Sequence, residues 1–177
     1  DSEPYQLAMP IKLALNFAYT KLNLNRSSGV NLSFTDFDGE GIDRELPIII
    51  SNREAYDLMC ESLKYLRTYY NLSRRTPLID GEILGFDSIV ETVTLSNTQP
   101  WSIRRMMQVL GTDIVVNHID YDFWNRCMMT AYFNTRSKLK DLFLVKDIRQ
   151  PHELSLARDL GATIIFIERD GINKNID

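Results

Sequence analysis

Arg104, Arg105 and Gln108 fall within the run Gln99-Pro100-Trp101-Ser102-Ile103-Arg104-Arg105-Met106-Met107-Gln108-Val109-Leu110-Gly111-Thr112-Asp113, and Asp147-Ile148-Arg149-Gln150 follows an apolar segment further on. These residue types handle phosphate. A planar guanidinium takes two phosphate oxygens at once, and a carboxylate at the end of a strand can ligate Mg²⁺ through water or orient a partner. Neighbours on a helix point about 100° apart, so Arg104 and Arg105 cannot both face one ligand equally, and one of them shares its face with Gln108. The competing reading is a solvated helix face with aliphatic stems lying over Trp101. Asp147 and Arg149 point to the same side of an extended backbone, where they contact a ligand or pair with each other. Trp124 offers a ring face to a nucleobase or else packs in the core. Asp43-Arg44-Glu45 supplies one more arginine from a loop. His118 and His152 have no acid or nucleophile at a recognisable spacing and read as structural or surface residues. A Gly-rich loop ending in Lys-Ser or Lys-Thr is absent from the 177 residues, as is any Gly-Lys pair.

The elements that must carry these side chains follow from periodicity. Ile11, Ala14, Leu15, Ala18 and Leu22 recur at helical spacing after Pro10, which predicts an amphipathic helix to about Leu24. Residues 26–45 gather Ser, Asn, Asp and glycines and read as a long mobile loop; its Asp36-Phe37-Asp38-Gly39 faintly resembles a calcium loop but lacks the remaining ligand spacing. Ser51-Asn52-Arg53-Glu54 is a capping box that predicts a helix over 52–70. Residues 73–97 read as an irregular insertion, with a β-prone patch over 89–95 that suggests a hairpin. Ser102 is expected to cap a helix ended by Gly111, with Thr112 or Asp113 capping a second through about His118, and Asp120 or Asp122 opening a third through Phe123, Trp124 and Cys127. Leu142-Phe143-Leu144-Val145 reads as a buried parallel strand, Pro151 starts a helix ended by Gly161, and 163–167 follows as a second buried strand. The class is therefore α/β, with a β-α-β unit over 142–167 and ligands collecting beyond the strand ends, at Asp147-x-Arg149 and Glu168-Arg169.

Composition bounds the rest. A chain of 177 residues, 44% hydrophobic and 25% charged, supports a single domain with a real core. A formal net charge of -4 argues against coating a nucleic-acid polymer. Cys60 and Cys127 lack metal-ligand or Cys-x-x-Cys spacing and read as free thiols in a reducing compartment. With no membrane-length apolar run and no signal segment, the protein is expected to be cytoplasmic, away from membranes. A homodimer stays open. The first residue is Asp1, not Met, so the residues are expected to be a processed or partial piece of something longer.

Taken together, the run from Gln99 to Arg126 and the motif Asp147-Ile148-Arg149-Gln150-Pro151-His152-Glu153, with Ala157-Arg158, Gly161-Ala162-Thr163 and Arg169, resemble the deoxynucleoside monophosphate kinases of T-even-like bacteriophages. Shorter echoes are Tyr5-Gln6-Leu7-Ala8, Pro10-Ile11-Lys12 and Gly41-Ile42-Asp43-Arg44-Glu45. They run in the family's order across most of the chain, with a poor match over 73–97. The resemblance implies a three-layer P-loop kinase fold with a parallel sheet, here incomplete at both termini. It also implies phosphoryl transfer from ATP, with Mg²⁺, to a deoxynucleoside 5′-monophosphate, in the host cytoplasm, for phage DNA replication. Carried over by position, Arg104, Asp147 and Arg149 would be catalytic. Arg44, Arg105, Gln108, Thr112 and Asp113 would hold the acceptor, and Trp124 would stack on its base. The family's Gly-rich loop would lie before Asp1 and its last strand and helix after Asp177. The gene is expected to encode them, or a partner to cover the gap. A rival reading is a non-catalytic descendant of the fold, kept as a structural or protein-binding module, for instance in a virion.

Overall fold

The computed structural model describes residues 2–73, 85–138, 142–148 and 151–167. In chain order they form β1 (Ser2–Gln6), α1 (Met9–Lys21), α2 (Leu24–Ser28), α3 (Phe34–Asp38), α4 (Asn52–Tyr70), α5 (Phe86–Leu95), α6 (Ile103–Gln108), a π-helix (Val109–Ile119), α7 (Phe123–Ser137), β2 (Leu142–Lys146) and α8 (Pro151–Asp159). The chain divides into two compact units, residues 1–146 and 147–177.

In the first unit α1 and α4 pack on one another through the stripes that their sequences predict. Ala14, Leu15 and Ala18 of α1 and Ala55, Leu58, Met59 and Leu66 of α4 are shut off from solvent. Each large aliphatic side chain so buried contributes about 1.5–3 kcal/mol. The capping box forms: Glu54 N donates to Ser51 Oγ at 3.2 Å and Ser51 N to Glu54 Oε2 at 2.8 Å. Tyr19 Oη, 2.6 Å from Ser28 Oγ, donates to Val30 O at 2.7 Å and so fastens α2 to α1.

Four expectations need correction. The insertion over 73–97 contains α5, whose Ile89, Val90 and Thr94 lie at helical spacing and are buried; packing on α4 overrides the β preference of its branched residues. Gly111 does not end a helix. The chain passes from α6 into the π-helix without a break, and Gly111 is buried where a Cβ would stand 2.7 Å from Ile11 Cδ1, so close approach to α1 explains the glycine. Residues 26–45 include α2 and α3, and the calcium-like Asp36 is a cap: it accepts from Ser33 N at 2.8 Å and Ile42 N at 3.0 Å. Those two backbone donors, with the Ser33 hydroxyl, hold the Asp36 carboxyl below the usual carboxylate range. A depressed carboxyl contributes stability above its unfolded value and loses it as pH falls through the folded one. Asp36→Asn is therefore expected to flatten the acid limb of the urea midpoint against pH, and an unchanged limb would remove Asp36 from that role.

The fourth correction concerns the sheet. β2 forms over the predicted strand and is parallel, but its partner is β1, in register from Ser2↔Leu142 to Gln6↔Lys146. Leu142 and Leu144 remain 54% and 42% exposed, so the strand is not buried. Within the second unit α8 ends at Gly161 as expected, with φ +72° and Ala162 N donating to Ala157 O. Residues 162–167 carry no strand, and Ile165, Phe166 and Ile167 are exposed, so the β-α-β unit over 142–167 is not formed among the described residues. An apolar run signals extended backbone but does not name a partner. The described residues are mostly helical with one two-stranded parallel sheet.

Candidate functional site

Ser102 starts α6 as its sequence predicts, its Oγ accepting from Arg105 N at 3.1 Å. The next backbone bond sets the site: Arg104 N donates to Arg44 O at 2.9 Å, so two arginines sixty residues apart in sequence are neighbours. Arg44 is half-buried, while the Arg104 side chain is 51% exposed with Nε 3.7 Å from the exposed Glu45 Oε1. Gln108, one turn on from Arg104, is exposed. These three side chains stand free enough to meet a ligand from solvent.

Arg105 is committed elsewhere. Its Nη1 donates to Asp113 Oδ2 at 3.0 Å and its Nε to Asn97 Oδ1 at 3.1 Å, with 17% and 26% of the Arg105 and Asp113 side chains exposed. A regular α-helix would leave these positions about 80° apart around its axis. The wider i→i+5 turn of the π-helix rotates less per residue and brings Asp113 round to Arg105. The pair neutralises one guanidinium and lines an open pocket of about 330 Å³ with Ser96, Asn97, Gln99 and His118. Asn97 O accepts from Asn52 Nδ2 at 2.9 Å, and Asn52 Oδ1 accepts from Trp101 Nε1 at 2.8 Å. This polar chain ties the start of α4 to the segment that leads into α6.

Trp124 is half-buried, edge-on to Phe123 with centroids 4.7 Å apart, and its Nε1 donates to Gly111 O at 3.1 Å. The adjacent Thr112 is exposed. The turn that carries Trp124 is locked by Asp120 and Arg126: Nη1 donates to Oδ1 at 2.9 Å and Nη2 contacts Oδ2. The Asp120 partner raises the Arg126 guanidinium still further above its ordinary value. Asp147 directly follows β2 with φ +70°, so its own backbone is not extended, and the expected same-side relation to Arg149 lies outside the described residues. Arg149, Glu168 and Arg169 lie outside the described residues.

Sequence reasoning passed over Lys12, Asn52 and Asn97. Lys12 lies on the buried face of α1 with Leu15 and Tyr19, and a charge on an apolar stripe is a signal that was available. The two asparagines carry none beyond their turn preference.

The family model for deoxynucleotide monophosphate kinase matches residues 1–177. The chain belongs to the deoxynucleotide monophosphate kinase family. The deoxynucleotide monophosphate kinase of Escherichia phage RB69 is 36% identical over 176 residues, covering 94% of this chain and 72% of the relative. That of Enterobacteria phage T4 is 32% identical over 177 residues, covering 97% and 72%. Membership of this family makes the protein a nucleotide kinase, and similarity along nearly the whole chain does not favour the non-catalytic module. Among the described residues no helix is long and apolar enough to cross a membrane.

Proposed function

We propose that this kinase transfers the γ-phosphoryl group of ATP to the 5′-phosphate of a deoxynucleoside monophosphate. The product deoxynucleoside diphosphate supplies phage DNA synthesis in the host cytoplasm. The observation that carries the reading is the bond from Arg104 N to Arg44 O, which sets two guanidinium-bearing residues side by side with, among the described residues, no buried counter-ion for Arg104. Arg44 and Arg104 grip the acceptor phosphate, with Gln108 on the Arg104 face. An acceptor oxygen attacks the γ-phosphorus, the bond to the β–γ bridging oxygen breaks, and ADP leaves. Arg104 stays on the acceptor phosphate and offsets the negative charge shared with the phosphoryl group in transfer. Trp124, whose N–H is already used by Gly111, offers its ring face to the base, and Thr112, next to Gly111 in the chain, is exposed for contact with the acceptor. Arg105 and Asp113 act through the pocket wall that they hold in place. As the resemblance implies, Asp147 and Arg149 would serve nucleotide phosphates, and Mg²⁺ held by a carboxylate and those phosphates would neutralise their charge. The fold proposed is the P-loop kinase type in one domain, with β1 and β2 as two of its parallel strands.

Full-length protein assayed for ADP release with each deoxynucleoside monophosphate is expected to turn over at least one of them; no turnover with any would overturn the reading. A mononucleotide binder without catalysis is the second reading, favoured by the same arginine pair. It would show the thermal shift of bound ligand, about 2.7 kcal/mol at 100 times the dissociation constant, without ADP.

A further inference from the structure

Lys12 is 5% exposed, yet none of the roles above uses it. Its Nζ donates to Asp38 Oδ1 at 2.7 Å and to Gln6 Oε1 at 2.5 Å, tying the end of β1 and the last residue of α3 to α1. Two of its three donors are therefore spent inside the protein. Replacing a buried ion pair by apolar groups of similar volume is often neutral for stability. What the pair does fix is a position.

Asp38 is followed by Gly39 at φ +90°, whose N–H closes α3 on Thr35 O at 3.0 Å and Asp36 O at 3.2 Å. The Arg44 guanidinium packs closely over Gly39, so that an added Cβ would crowd it, with Cζ 3.0 Å, Nε 3.1 Å and Nη2 3.3 Å from that point. The intervening turn is pinned as well. Asp36 Oδ1 accepts from Ile42 N at 3.0 Å, and a Cβ on Gly41 would stand 2.0 Å from that same oxygen. From Lys12 through Asp38 and Gly39 the contacts lead without a gap to the head of Arg44, and Arg44 O in turn holds Arg104 N.

We propose that Lys12 is a positioning residue for the acceptor phosphate: by anchoring Asp38 it holds Gly39 as the seat on which the Arg44 guanidinium rests, ready for ligand. This rests on the kinase reading above for its ligand, but the seat itself is a property of the free protein. The variant of choice is K12M/D38L, which removes both charges and leaves neither orphaned. Its folding transition is expected within a few degrees of the parent, while KM for the deoxynucleoside monophosphate rises about tenfold and kcat changes less than threefold, as loss of preorganised binding requires. K12R in the otherwise unchanged chain is expected to keep the pair and most of the affinity. Placed on R44A, K12M/D38L should raise KM no further. Nuclear relaxation of the Arg44 Nε–H, read without any substrate, is expected to be that of a rigid group in the parent and of a freely moving side chain in K12M/D38L. An unchanged KM in a folded variant, an effect additive with R44A, or an equally rigid Arg44 Nε–H would each overturn the proposal. A kcat loss with KM unchanged would do so too, because Lys12 would then act on the transferring group itself. Absence of turnover in the parent, with the relaxation change present, would remove the kinase reading and leave the seat standing.

Discussion

Replacing Arg126 with leucine is expected to lower the unfolding free energy by about 3–5 kcal/mol at neutral pH, the range for stranding one member of a buried ion pair. Asp120 is 1% exposed, and Arg126 reaches both of its carboxylate oxygens. Without the guanidinium, Oδ1 keeps the Asp122 N–H at 3.2 Å, but a full negative charge stays in a site closed to water. Adding Asp120→Asn, which removes the stranded charge, should therefore restore much of the loss. Since this pair braces the turn into α7, the indole of Trp124 is expected to loosen in the same variant, visible as a shift of its Nε1–H resonance. Urea midpoints of the parent, R126L and R126L/D120N decide the matter. A loss below about 1 kcal/mol would mean that the pair behaves as a solvated surface bridge.

Arg104→Ala is expected to do the opposite, sparing stability and costing activity. Its contact with Glu45 joins side chains 51% and 70% exposed at 3.7 Å, a geometry that contributes little to folding. On the proposed reading its fork meets the acceptor phosphate and would be lost from the transition state. The expected drop in kcat/KM is about 10²–10³-fold, the cost seen when one preorganised donor to developing charge is removed. Arg104→Lys should recover only part of this, because an ammonium is a point charge without the two-pronged geometry. Arg53, exposed on α4 and 4.0 Å from Asp57, serves as the control arginine whose removal should leave kcat/KM unchanged. A change below threefold in Arg104→Ala would take Arg104 out of the site.

What was legible in the sequence was local. Ser51 with Glu54, Ser102, and the stripe of Ala14, Leu15 and Ala18 state their helices because each signal lies within two turns of its consequence. The strand over 142–146 was visible as an apolar run, but its pairing with Ser2–Gln6, a short segment broken by Pro4, depends on residues far away in sequence. In α5 the branched residues Ile89, Val90 and Val93 state a strand, and contact with α4 decides otherwise. At the candidate site the residue types announce phosphate, yet the division of labour between Arg104 and Arg105 is invisible. It depends on the π-helix bringing Asp113 round to one arginine and on a backbone bond joining Arg44 to the other.

The buried thiol of Cys127 has a use as a clock. Burial pushes it up to about 12, and it lies near enough to Tyr5 of β1 to add to the rise that burial causes in that phenol, whose hydroxyl is itself buried with no hydrogen-bond partner among the described residues. In the closed molecule such a sulfur is neither ionised nor open to solvent, so an alkylating reagent captures it chiefly during moments when the packing round α7 opens. The rate at which Cys127 is modified, followed separately from the half-buried Cys60, thus counts those excursions and converts them into an opening free energy for this one seam of the molecule.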